Sequence, residues 1–85
     1  MKKLLKALKI AEMEATKADE AWEADPENEE LEAAFDEAYS KEFEARENLA
    51  KAIVKTTFGK IDIQTARNMI RIKRMELETL ISKMA

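Results

Sequence analysis

Apolar residues near the start of the chain recur at alternating intervals of four and three positions. The row consists of Leu4, Leu8, Ala11, Ala15, Ala18 and Trp22. This is the a/d spacing of a coiled-coil helix, and it places the whole row, which we call a seam, on one face. The pattern predicts a helix over about residues 2–24. The three consecutive alanines in the seam indicate that a neighbouring helix approaches closely.

A second seam follows the segment ADPENEE. Asp25 is placed to cap a helix, and Pro26 suits the first helical position because its missing N–H costs nothing there. No helix breaker follows until Gly59, so the pattern predicts one helix over about residues 26–58. Its seam holds Leu31, Phe35, Ala38, Glu42, Ala45, Leu49, Ala52 and Thr56, and a second apolar row of Tyr39, Phe43, Ala50 and Val54 lies beside it. An apolar face this wide indicates two neighbouring helices.

A third pattern begins after Gly59, the only glycine in the chain. Glycine tolerates the left-handed conformation that ends many helices. Asp62 is placed as the N-cap of the next helix, and Ile61 before it can pack onto Ala66. The pattern predicts one helix over about residues 63–84. Its seam holds Ile63, Ala66, Ile70, Lys73, Leu77, Leu80 and Met84.

Three helices joined by short connections predict an all-α, up-down-up antiparallel bundle that resembles a coiled coil and forms one domain over residues 1–85. At 1.5 Å per residue the helices are about 35, 50 and 33 Å long. The third helix therefore covers only the first half of the first helix, and the two longer helices extend beyond it. Exposed apolar surface of this kind usually marks an interface, which favours self-association as a twofold homodimer. A bend of the second helix near Ser40 would instead close a compact monomer.

Two seam positions carry charged residues, Glu42 and Lys73. Polar seam residues can set the register of a bundle or the choice of its partner. Alternatively, both side chains reach water at the edges of the seam, or they form a buried carboxylate–lysine pair with shifted pKa values. The residues predicted to form an interface are Trp22, Leu31, Phe35, Tyr39, Glu42, Phe43 and Lys73.

The 85-residue chain contains no cysteine and no histidine. Disulfides, cysteine nucleophiles, Ser-His-Asp triads and zinc sites built on these residues are therefore excluded. We expect a non-enzymatic protein with no catalytic, cofactor-binding or metal-binding residues. No run approaches the ~20 apolar residues of a membrane span. Lys6 and Lys9 interrupt the stretch that resembles a signal peptide, so the expected location is the cytoplasm.

The net charge of −3 is unevenly distributed along the chain. Residues 1–11 carry +4, residues 12–50 carry −12 from fifteen acids and three cations, and residues 51–85 carry +5. Such segregation indicates complementary surfaces, within one chain or between chains. The candidates for an acidic face are Glu29, Glu30, Asp36, Glu37, Glu44 and Glu47. A strongly acidic face can imitate a nucleic-acid backbone and occupy a basic groove of a host or defence protein, as small inhibitors from phages and mobile elements often do.

The third helix carries a basic ridge of Arg67, Arg71 and Arg74 beside its seam. A glycine turn followed by a basic helix has the outline of a helix-turn-helix DNA reader. The acidic composition of the domain and the length of the preceding helix oppose this interpretation. In addition, the expected register brings Arg74 near Glu47, where the two side chains can form an ion pair.

The leading hypothesis is a non-enzymatic helical module for protein–protein interaction that self-associates through its seams. The alternative is an acidic inhibitor that imitates nucleic acid, and a third hypothesis is a weak nucleic-acid binder that uses the third helix. We therefore expect a protein partner and a homodimer, rather than a nucleic acid or a membrane.

Overall fold

The computed structural model describes residues 1–84 and contains four helices. These are α1 (Lys2–Ala24), α2 (Glu29–Thr56), α3 (Ile63–Arg71) and α4 (Arg74–Met84), with no strand among the described residues. The protein is all-helical, as predicted, but four helices replace the predicted three-helix up-down-up bundle. Ala85 and the side chain of Met84, the last predicted seam position, lie outside the described part of the chain. No helix within residues 1–84 has the length and apolar character needed to cross a membrane.

The predicted third helix is divided at Ile72 and Lys73. The N–H of each donates to the carbonyl four residues earlier, at 2.8 and 3.1 Å, and completes the last turn of α3. Neither glycine nor proline marks this point. A straight helix would place Lys73 in the buried seam, where an unpaired ammonium group is strongly unfavourable. In the structure Lys73 is exposed, and the buried row of α4 consists of Leu77 and Ile81.

Arg74 stabilises this break. Its Nε donates to the carbonyl oxygen of Ile70 at the end of α3, at 2.8 Å. Its Nη1 and Nη2 donate to the two carboxylate oxygens of Glu12 on α1, at 3.0 and 2.9 Å. A cation is favourable at the C-terminal end of a helix, where the last carbonyls lack backbone partners. One side chain therefore connects α3, α4 and α1.

The turn between α1 and α2 differs from the prediction. Asp25 is the C-cap of α1 rather than the N-cap of α2, and α2 begins at Glu29. The N-cap is Asn28, whose Oδ1 accepts hydrogen bonds from the N–H groups of Glu30 (3.0 Å) and Leu31 (3.3 Å). Asn28 also donates from Nδ2 to the Asp25 carboxylate at 3.3 Å. It is the better cap here because it satisfies two free N–H groups and fixes the turn as well.

α2 ends at Thr56, slightly earlier than predicted, in a Schellman motif. The N–H of Gly59 donates to the Val54 carbonyl at 2.9 Å, and the N–H of Phe58 donates to the Lys55 carbonyl at 3.2 Å. The left-handed conformation predicted for Gly59 is confirmed by its φ of +79°, but Phe58 is also left-handed, with φ +53°. This conformation is strained for a residue other than glycine. Because Phe58 is 93% exposed, packing does not offset the strain.

Asp62 caps α3, as the sequence predicts. Its Oδ1 accepts a hydrogen bond from the N–H of Thr65 at 2.7 Å, which satisfies one of the free donors at the helix start. Ile61, the residue before the cap, is half-buried and packs against the core. The cap and the apolar residue before it together fix the angle at which the chain enters α3.

α3 packs antiparallel to α2 after a short turn, and α4 returns along α1. Two ion pairs give the direction of α4, since Arg74 binds Glu12 and the later residue Glu78 binds the earlier residue Lys9. The helices therefore alternate in direction, up-down-up-down. The largest fully buried side chains of the core between them are Leu8, Leu49, Ile53, Ile70 and Leu77.

α3 and α4 cover only one end of the long α1–α2 pair. Their 9 and 11 residues extend along it as far as Glu47 and Glu12, and beyond this level α1 and α2 pack only on each other. We call this two-helix segment, residues 13–43, the arm. The molecule measures 46 × 20 × 19 Å, and its radius of gyration of 14.8 Å exceeds the ~12 Å of a compact 85-residue domain. The arm is the extension that the unequal helix lengths predict.

Replacing Phe58 by glycine is expected to raise the free energy of unfolding by about 1 kcal/mol, because glycine is left-handed without steric cost. Phe58→Ala is the matched control, since it removes the ring but keeps the strain, and its effect should stay within about 0.5 kcal/mol. Gly59→Ala should lower stability by about 1 kcal/mol through the backbone alone, since the added Cβ meets no atom within 4 Å. Urea unfolding followed by circular dichroism measures all three changes. Equal stability of the two Phe58 variants would contradict the strain.

Candidate interaction surface

Four aromatic side chains form a row along the arm. The rings of Trp22 on α1 and Phe35 on α2 are stacked with their centroids 5.3 Å apart, and the centroids of Phe35 and Tyr39 are 6.0 Å apart. Phe43 lies one turn farther along α2. Trp22 and Phe35 are half-buried, whereas Tyr39 and Phe43 are 54% and 55% exposed. We call these four residues the aromatic row.

Trp22 is fixed in its position within the row. Its indole Nε1 donates to the carbonyl of Pro26 at 3.3 Å, and its ring packs on Phe35. Leu31, another predicted interface residue, is half-buried near the start of α2. A ring that is already held loses little conformational freedom when a partner binds. The inner half of the aromatic row is therefore preorganised.

The outer half of the row continues a flank of α2 that is buried nearer the core. Ala50 and Ile53 are buried against α3. Phe43 lies seven residues before Ala50, and Tyr39 lies fourteen residues before Ile53. These spacings place all four residues on one side of α2. At the edge of α3 a groove opens, lined by Phe43, Arg46 and residues of α3. An apolar flank that extends past its cover is typical of an interface.

The two charged seam residues are not brought together. Glu42 is half-buried and forms an ion pair with Arg46, one turn farther along α2. Lys73 lies in the break between α3 and α4, where it is exposed and forms no ion pair among residues 1–84. The structure therefore contains no carboxylate–lysine pair of these two residues. Glu42 is tolerated because Arg46 neutralises it, and Lys73 because the helix break turns it to water.

The exposed acidic candidates lie on two flanks of α2. One row, at seven-residue spacing, contains Glu30, Glu37 and Glu44. The other row contains Glu29 and Asp36, and Phe43 lies at the next seven-residue step on the same side of α2. The arm as a whole holds twelve acids and two lysines, a net charge of −10, and the rest of the chain carries +7. Within residues 1–84, no three acidic side chains are grouped so as to hold a metal ion.

Glu47, the sixth acidic candidate, is engaged within the molecule. Arg67 donates from Nε and Nη2 to its two carboxylate oxygens, at 3.0 and 2.6 Å. The prediction that Arg74 lies near Glu47 is wrong, because the helix break directs Arg74 to Glu12 on α1. Of the three ridge cations, only Arg71 forms no ion pair in the described part of the chain. Neutralisation of the other two weakens the case for a surface that binds nucleic acid.

The structure contains one exposed surface that the apolar pattern of the sequence does not predict. Ile72 and Met75, beside the helix break, are 68% and 82% exposed, and the adjacent Arg71 and Lys73 are exposed as well. We call Arg71, Ile72, Lys73 and Met75 the corner. The ion pair between α4 and α1 sets the corner at the level where the arm begins. The available sequence signal was a pair of apolar residues that lie off the seam of the third helix.

Within residues 1–84, three carboxyl groups have pKa values below their ordinary range, because hydrogen bonds favour the charged form. The pairs are Glu47 with Arg67, Glu78 with Lys9, and Asp62 with the N–H of Thr65. In each pair the hydrogen bond is the largest cause of the lowered pKa. These interactions tie the stability of the fold to pH.

The free energy of unfolding is expected to fall in acid. A carboxyl group whose pKa is lower in the folded chain contributes stability that is fully present above the unfolded pKa and is lost as pH falls through the folded pKa. The loss should therefore begin near the ordinary glutamate pKa of 4.5 and grow below it. Glu47→Gln should reduce the acid-dependent loss, whereas Glu30→Gln, a change at an exposed arm position, should leave it unchanged. Thermal unfolding over a series of pH values measures the difference, and an identical pH profile for the Glu47 variant would refute this account.

The ion pair between Arg74 and Glu12 is expected to contribute a coupling energy of about 1 kcal/mol in a double-mutant cycle of Arg74→Met and Glu12→Gln. Its bidentate geometry and partial burial distinguish it from ordinary surface pairs, many of which contribute nothing measurable. The control cycle combines Arg71→Met with Glu12→Gln and should give a coupling energy near zero. Urea unfolding of the single and double variants supplies the values. Equal coupling in the two cycles would show that the bond does not anchor α4.

No family model, no curated protein and no solved structure matches this chain. Its function is therefore inferred from the geometry and charge of the arm and the corner.

Proposed function

We propose that the protein is a non-enzymatic helical interaction module that self-associates through the aromatic row of its arm. The proposal rests on one observation above all. Tyr39 and Phe43 are more than half exposed on a flank of α2 whose continuation, Ala50 and Ile53, is buried against α3. A partner helix placed on the arm would extend the same packing along α2, because the flank keeps its apolar character beyond the edge of α3.

The exposed surface of the chain supports an interface of ordinary dimer size. The accessible surface is 6144 Å², whereas a compact protein of 9.8 kDa exposes about 5,200 Å². The excess of roughly 1,000 Å² is comparable with the ~600–1,000 Å² that each partner buries in a standard interface. A second chain on the arm would reduce the exposed surface to that of a compact protein.

The composition of the row also suits an interface. Tryptophan and tyrosine are enriched among the residues that contribute most to binding, because they bury a large area with few rotatable bonds. The stacked pair of Trp22 and Phe35 supplies a fixed inner wall. Tyr39 and Phe43 supply the exposed area that a partner would cover.

A second candidate function is that of an acidic inhibitor occupying a basic groove of another protein. It is favoured by the arm's net charge of −10 and by the exposed acids on both flanks of α2. Such binding would weaken steeply with salt and with a competing polyanion. Reversal of Glu30, Glu37 and Glu44 to lysine would abolish it but leave self-association through the aromatic row intact. No observation favours a nucleic-acid binder, since Arg67 and Arg74 are held in ion pairs.

Replacing Tyr39 and Phe43 together by serine is expected to weaken self-association by about 10- to 100-fold, because two aromatic anchors are lost. Sedimentation equilibrium should give a dimer of the 9.8 kDa chain for the wild type and a monomer for the variant at the same concentration. Phe58→Ser is the matched control, since Phe58 is an exposed aromatic residue at the opposite end of α2 and should not affect the dimer. A wild type of 9.8 kDa at the highest soluble concentration would refute self-association. Equal dissociation by the Phe58 control would refute the assignment to the arm.

A further inference from the structure

We propose that the partner of the arm is a second copy of this chain in antiparallel twofold orientation, so that the acidic end of each arm meets the corner of the other copy. This inference rests on the proposed self-association and adds the orientation of the two chains and the charged contacts between them. The charge of the arm, the composition of the corner and the position of the arm's acids support it, and the length of the arm is compatible with it.

Charge separates the arm from the rest of the molecule. The arm carries −10, and the remaining residues carry +7. Two copies side by side in parallel would place acidic arm against acidic arm and basic core end against basic core end. The two arms also lie against each other in the antiparallel orientation, but there each acidic arm end approaches the basic corner of its partner, so attraction replaces repulsion at both ends.

The corner has the composition that an acidic arm end requires. Arg71 and Lys73 are exposed cations without an ion pair in the described part of the chain. Ile72 and Met75 add exposed apolar area beside them. Because the corner stands at the level where the arm begins, a helix pair laid along the arm ends against it.

The end of the arm presents acids on the flank of the aromatic row. Glu32 lies seven residues before Tyr39, and Glu29 lies fourteen before Phe43, which keeps both on that side of α2. Both are exposed. Along the helix axis Glu32 and Glu29 are about 17 and 21 Å from Phe43, which is too far to pair with the corner of their own chain. A partner's corner can reach them.

The length of the arm fits the same arrangement. Residues 13–24 of α1 span about 18 Å. Two arms of equal length overlap completely when each end reaches the corner of the other copy. The twofold axis then passes near Asp36, midway along the α2 part of the arm, and every contact occurs twice. The aromatic contacts and the charged contacts therefore form in one arrangement.

Charge reversal tests the orientation. One variant carries Arg71→Glu and Lys73→Glu at the corner, and the other carries Glu29→Lys and Glu32→Lys at the arm end. Each variant alone places like charges in contact in an antiparallel dimer, so its dissociation constant at low ionic strength should rise about tenfold or more. An equimolar mixture of the two variants, and a single chain with all four substitutions, pair unlike charges again. Both should return to within about threefold of the wild-type constant in sedimentation equilibrium.

The control for the arm-end variant carries Glu30→Lys and Glu37→Lys. It makes the same change of charge on the other flank of α2 and should shift the dissociation constant by less than about threefold. A parallel dimer leaves the corner and arm-end variants like the wild type, because like charges already face one another in it. That result overturns the antiparallel orientation, and the proposed function stands if Tyr39→Ser with Phe43→Ser still dissociates the dimer. A wild-type chain that stays monomeric at every concentration overturns both proposals and leaves the arm to a different partner.

Discussion

The guanidinium of Arg74 joins three helices, and the shape of the molecule depends on it. It caps α3 through the Ile70 carbonyl and binds both carboxylate oxygens of Glu12 on α1. Without the first bond the last carbonyls of α3 would lack a charged donor. Without the two bonds to Glu12, α4 would lose its bidentate ion pair with α1. Because α4 turns back onto α1 at this point, the cover over the long helix pair ends at the level of Glu12. The open arm and the exposed corner both follow from that position.

Helix ends that depend on one or two neighbouring residues could be predicted from the sequence. Asp62 caps α3, and Gly59 adopts the left-handed conformation, because both effects involve only local hydrogen bonds and sterics. Asp25 does not take the predicted N-cap role, because Asn28 supplies an equivalent acceptor three residues later and can also donate to Asp25. A sequence pattern cannot rank two good caps when the difference lies in the geometry of the turn.

The break at residues 72–73 could not be predicted, because no glycine or proline occurs there and the apolar spacing continues across it. Its only sign was Lys73 in a seam position, and a contact distant in sequence, Arg74 with Glu12, determines where the chain turns. The residues of the aromatic row could be predicted, because they follow from the apolar spacing and the unequal helix lengths. The corner could not, because it exists only where the helix is broken.

The arm is held by a single helix–helix contact, whereas the other half of α1 and α2 also packs on α3 and α4. Apart from Trp22, its share of α1 contributes mainly small side chains to that contact, Ala15 and Ala18, which bury little apolar area. Local opening of the arm should therefore cost less free energy than global unfolding, and its backbone amides are expected to exchange with solvent sooner than those around the buried Leu49 and Ile53. A partner that covers the arm acts on the least stable part of the molecule. Because a partner binds the closed arm and not the opened one, its binding would raise the free energy of local opening.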